Sequence, residues 1–116
     1  MYHKLENYLR AHRKRSGLTQ DDVAFLLGSR SGTKVSRYEQ FRRLPTLPTA
    51  LALEILFDVP GQDLFAGLYQ ELERTLTRRA EDLIKRLHAQ PPNRVTERKL
   101  SSLRSVCLPR RKGRRE

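Results

Sequence analysis

Apolar residues recur at helical spacing along most of the chain, and no segment reads as a strand. Leu5, Tyr8, Leu9 and His12 step by three and four residues and predict an amphipathic helix over residues 4–15, stopped by Ser16-Gly17. Thr19 offers a hydroxyl cap to a second helix carrying Val23, Ala24, Leu26 and Leu27. Asp22 falls at its third position, Asp21 and Asp22 suit the positive helix end, and Gly28 closes it. After the turn-like Ser29-Arg30-Ser31-Gly32, a third helix is predicted from Thr33 to Phe41, with Ser31 as its cap. Thr46 caps a fourth helix through Leu47, Leu51, Leu53, Ile55 and Leu56, with Pro48 tolerated in its first turn. Asp58-Val59-Pro60-Gly61 ends it.

From Gln62 to Ala89 the positions Phe65, Tyr69, Leu72, Leu76, Ala80, Leu83 and Leu87 follow an eleven-residue pattern, the face of one nearly straight long helix. Pro91-Pro92 breaks that helix, and Thr96 is placed to cap one more short helix with Leu100, Leu103 and Val106 on one face. That last helix either folds back on the long one or leaves its far half, around Leu76 and Leu83, for a second copy of the chain. The expected class is all-α: a small helical bundle, then a long helix and a short following one. The longest apolar run, Val23 to Leu27, falls far short of the roughly 20 residues that cross a bilayer.

Charge adds a partner to this picture. The chain has 116 residues with 24 Lys and Arg against 13 Asp and Glu, a net charge of +11, which predicts attraction to a polyanion. Residues 1–65 carry +3, residues 66–90 carry +1 and residues 91–116 carry +7. The end, Arg110-Arg111-Lys112-Gly113-Arg114-Arg115-Glu116, has no apolar period and is expected to be a disordered basic tail over residues 108–116. Within the first segment, Thr19 to Gly28 is acidic, whereas Ser29 to Arg43 concentrates Arg30, Lys34, Arg37, Arg42 and Arg43 against Glu39 alone. A single cysteine, Cys107, closes no internal disulfide, and Met1-Tyr2-His3-Lys4 leads into no apolar signal segment, so a cytoplasmic location is expected.

A short helix, a turn and a second helix bearing exposed polar and basic residues is the arrangement that places one helix in the major groove of DNA. The run Leu18-Thr19-Gln20-Asp21-Asp22-Val23-Ala24-Phe25-Leu26-Leu27-Gly28, followed by Val35-Ser36-Arg37-Tyr38-Glu39, resembles the XRE family of lambda-repressor-like and Cro-like helix-turn-helix regulators over about residues 5–65. Two features depart from the family pattern. The turn from Gly28 to Val35 is one residue longer, and Gln40-Phe41 replaces the common residue-Gly pair after Glu39. Both bear on the angle between the second and third helices.

The resemblance implies a DNA-binding domain over residues 1–65, with residues 66–107 a helical extension for dimerisation. It implies base contacts from Thr33, Lys34 and Arg37, with Arg37 first because its fork matches a guanine edge. Phosphate contacts are expected from Gln20, Arg30, Ser31, Arg42 and Arg43. Arg13 and Glu39 match the positions that pair between the first helix and the end of the third, and Val35 and Ala24 are read as core. The expected function is that of a sequence-specific transcriptional regulator, a repressor, acting on double-stranded DNA as a homodimer. The alternative is an antitoxin-like or adaptor module whose residues 66–107 hold a partner protein.

No enzyme is expected. Gly28-Ser29-Arg30-Ser31-Gly32-Thr33-Lys34 lacks the glycine spacing and the Gly-Lys-Ser/Thr order of a phosphate loop. His3, His12 and His88 are isolated from cysteines and carboxylates at ligand spacing, so neither a metal nor another cofactor is expected.

Overall fold

The computed structural model describes residues 7–108; the expected tail beyond Leu108 and the first residues of the expected first helix lie outside them. Among the described residues there are seven helices and no strand: α1 (Leu9–Arg15), α2 (Gln20–Leu26), α3 (Thr33–Glu39), α4 (Leu47–Phe57), α5 (Gly61–Leu64), α6 (Ala66–His88) and α7 (Arg94–Cys107). The all-α class holds. The chain divides into two compact units, the first running through Tyr69 and the second beginning at Gln70.

In the first unit, Leu9, Val23, Ala24, Val35, Tyr38, Leu53, Leu64 and Phe65 form one buried cluster, so Val35 and Ala24 are core as expected. The entry to α1 is fixed by Asn7, whose Oδ1 accepts the Leu9 amide at 3.1 Å while its Nδ2 donates to the Tyr38 carbonyl at 3.1 Å. The helix therefore begins at Leu9, with Asn7 and Tyr8 ahead of it. Capping of α2 follows the sequence closely: the Thr19 hydroxyl accepts from the Asp22 amide at 3.0 Å, and the Asp22 carboxylate accepts from the Thr19 amide at 2.9 Å. Gly28, at φ +82°, ends it, the Gly28 and Ser29 amides returning to the Phe25 and Ala24 carbonyls.

Other boundaries also differ from expectation, each for a physical reason. The cap residue of α3 is Gly32, not Ser31, because the Gly32 amide closes on Asp21 Oδ1 and leaves Ser31 outside the helix, its Oγ 3.5 Å from the Thr33 amide. The same helix ends at Glu39, since Phe41 takes φ +57° and the Phe41 and Arg42 amides close on the Tyr38 and Arg37 carbonyls. The helix expected from Gln62 to Ala89 is interrupted at Phe65, at φ −118° and ψ 52°. There the Leu64 carbonyl accepts the Tyr8 amide at 2.8 Å instead of serving the helix, and both Leu64 and Phe65 turn into the core. By contrast α4 is capped by Thr46, carries Pro48 in its first turn and stops at Asp58, in the left-handed region at φ +54°.

The second unit contains α6 from Gln70 onward and α7. Asn93, not Thr96, caps α7: its Oδ1 accepts the Thr96 amide at 2.9 Å, which places Thr96 inside the helix, where it is buried. Ala80 and Leu87 of α6 and Leu100 of α7 are also buried. Leu72, Leu76 and Leu83 are not covered; they remain 42%, 55% and 41% exposed. At about 100° per residue these three fall within about 40° of one another, beside the buried Ala80 and Leu87. None of the described helices is long and apolar enough to cross a membrane.

Candidate nucleic-acid interface

The first turn of α2 and the entry to α3 approach each other at backbone distance. Gly32 has an ordinary φ of −78°, so no conformational need explains a glycine there. A Cβ at that position would lie 2.8 Å from Gln20 Cβ and 3.0 Å from the Gln20 carbonyl carbon, so only glycine fits the contact. The Gly32 amide donates to Asp21 Oδ1 at 2.8 Å, which ties the two helices together at their closest point.

The far end of α3 is tied to α1 and α2. Arg13 donates through Nε to Glu39 Oε2 at 2.5 Å and through Nη2 to Glu39 Oε1 at 3.2 Å, and its Nη1 reaches the Leu18 carbonyl at 3.0 Å. The two side chains are 10% and 3% exposed. Hydrogen bonding to Glu39 raises the Arg13 pKa above its ordinary value; burial opposes this and the carboxylate charge adds to it. Removing one partner would leave the other charge buried and uncompensated. Gln20 joins the network by donating its amide to Glu39 Oε1 at 3.1 Å, so one of its two N–H bonds is already committed.

Held at both ends, α3 lines an open groove of about 480 Å³ with Thr33, Ser36 and Arg37. Gln20, Asp21, Ser31, Gly32, Gln40 and Arg42 complete it. Of the residues expected to touch DNA, Gln20, Ser31, Thr33, Arg37 and Arg42 thus meet on one surface. Lys34, Arg30 and Arg43 are exposed but do not line that groove. Their long side chains carry charge beside it. Four groove residues escaped the sequence reading as site residues: Asp21, Gly32, Ser36 and Gln40, the last two linked by a 3.3 Å hydrogen bond from Gln40 Nε2 to Ser36 Oγ. The signal was present for Gln40, which stands three residues after Arg37 and seven after Thr33, on the same helical face. An arginine fork and a carboxamide are the groups that pair bidentately with guanine and adenine edges.

A helix-turn-helix domain family model matches residues 6–66 of the chain. The chain belongs to the helix-turn-helix domain family. This is a domain of the XRE-like regulators, in agreement with the resemblance carried by Leu18 to Glu39. No curated protein and no solved structure matches the chain. Within the helix-turn-helix domain, α2 and α3 are the motif's two helices, and α3 occupies the place of the one that enters DNA. The match makes residues 6–66 a DNA-binding regulator domain.

Among the described residues no group of three histidine, cysteine or carboxylate side chains is gathered as a metal ion would need.

Proposed function

We propose that the protein is a sequence-specific transcriptional regulator that binds double-stranded DNA as a homodimer and represses by occupying its site. The observation that carries this is the convergence of Thr33, Arg37, Gln20, Ser31 and Arg42 on one groove of a helix-turn-helix domain. In this reading Thr33, Lys34 and Arg37 meet base edges. Gln20, Arg30, Ser31, Arg42 and Arg43 hold phosphates, and Arg13 with Glu39 keeps the end of α3 in register. A small basic domain seated in the major groove denies the same face to other proteins, so repression is the mode that occupancy supports. Selection of bound sequences from a pool of random duplexes tests the proposal. Enrichment of a palindrome with half-sites about one helical turn apart is expected, and a bound pool without any enriched sequence counts against it.

The exposed stripe of Leu72, Leu76 and Leu83 supports a second reading, in which residues 66–107 hold a partner protein as an antitoxin or adaptor would. The two readings differ in what covers the stripe. Sedimentation of the pure protein separates them, because a second copy doubles the mass without any other component.

A further inference from the structure

Asp21 is a carboxylate on the wall of the groove that the proposed function gives to DNA. Its charge repels phosphate, so it lowers DNA affinity there. What it does in return is visible in the geometry: Oδ1 accepts the Gly32 amide at 2.8 Å, directly before the first residue of α3. The cap residue of α3 has no side chain of its own, and Ser31 Oγ accepts the Thr33 amide only at 3.5 Å. At seven residues, this helix is too short to hold itself in place and depends on its attachments. Besides the burial of Val35 and Tyr38 and the Asn7 bond to the Tyr38 carbonyl, the Glu39 network holds its end and the Asp21 contact its start.

We propose that Asp21 is a positioning residue for DNA recognition: by closing on the Gly32 amide it fixes the angle at which α3 presents Thr33 and Arg37, and so sets base selectivity at the expense of phosphate affinity. This rests on the reading that α3 enters DNA. Glycine at 32 is the other half of the device, since any side chain there would force the backbone of α3 away from α2.

Two substitutions separate charge from position. Asp21→Asn removes the charge and keeps an oxygen acceptor in place; Asp21→Ala removes both. The full chain is titrated with the duplex that the unaltered protein enriches from a random pool and with a base-shuffled duplex of the same composition. Both variants are expected to bind the shuffled duplex more tightly than the unaltered protein. The ratio of the two affinities is expected to stay within about twofold in Asp21→Asn and to fall about tenfold in Asp21→Ala, within the range of one lost bidentate base contact. Equal ratios in the two variants overturn the proposal. Should Asp21→Ala fail to fold, Gly32→Ala decides, because it keeps the carboxylate and parts the backbones; an unchanged ratio then overturns it. Amide exchange at Gly32 in the DNA-free protein gives a reading independent of DNA. Faster exchange in Asp21→Ala than in Asp21→Asn is expected, and equal exchange overturns the proposal even if the unaltered chain enriches no duplex, an outcome that by itself removes only the DNA reading.

Discussion

Asp22 and Arg37 show how far single side chains carry stability and recognition. Hydrogen bonds from the Thr19 amide and hydroxyl hold the Asp22 carboxyl below the usual carboxylate range. A group whose folded pKa is depressed stabilises the fold above its unfolded pKa, about 4 for aspartate, and loses that contribution as pH falls through the folded value. Asp22→Asn is therefore expected to lower the melting temperature at pH 7, with the gap to the unaltered protein closing as both are taken to about pH 2. A gap that stays constant across that range would show that the capping carboxylate is not its source. In the proposed function Arg37 acts on recognition instead. Arg37→Ala is expected to cost about 1–3 kcal/mol at the preferred duplex and to relax base preference, whereas Arg42→Ala weakens all duplexes alike and reduces the salt slope by about one. Binding titrations on preferred and shuffled duplexes at several salt concentrations distinguish the two. Equal loss on both duplexes for Arg37→Ala would remove it from the base-reading set.

The ends of the elements decide how the recognition helix is held, and they differ in how openly the sequence announces them. Thr19 with Asp22, and Thr46 with Pro48, are local signals, so α2 and α4 start where the residues say they should. Gly28 is likewise local: it sits at φ +82° with open space around its Cα, so Gly28→Ala is expected to cost about 1–2 kcal/mol from backbone strain alone. Phe41 is the harder case. It adopts the left-handed conformation usually left to glycine, yet its side chain is only 4% exposed. Replacing it by glycine relieves about 1–2 kcal/mol of strain and forfeits a buried ring worth about 3–5 kcal/mol. Phe41→Gly is thus expected to lower unfolding free energy in a urea titration, and a stabilised variant would show that the strain outweighs the packing. The start of α3 at Thr33 was legible, but its cap was not, because the group that holds the Gly32 amide, Asp21, lies 11 residues away on another helix. The break at Phe65 was hidden for a related reason: the apolar spacing runs on from Phe65 to Tyr69 and Leu72, while the event that interrupts the helix is the distant Tyr8 amide taking the Leu64 carbonyl. Periodicity reports which face is buried and says nothing of a carbonyl drawn away by another segment.

For the whole molecule, the proposed homodimer follows from the short reach of one α3. Seven residues at 1.5 Å each extend about 10 Å, roughly three base pairs of groove, too few to single out one site in a genome. Two copies on adjacent half-sites double the sequence read and turn the second encounter into an intramolecular one. The +11 charge makes copies repel in solution, so their contact needs an apolar surface to offset it. Leu72, Leu76 and Leu83 supply such a surface in the second unit: α6 buries Ala80 and Leu87 within its own chain but leaves these three open to solvent. Because Leu76 and Leu83 are 55% and 41% exposed, glutamate at both positions asks little of the monomer fold. Between two copies it would place four like charges in one apolar contact. Leu76→Glu with Leu83→Glu is therefore expected to halve the sedimenting mass and shorten the DNA footprint to one half-site, with helicity unchanged by circular dichroism. A chain that keeps its mass and its footprint with both glutamates in place does not pair through this helix.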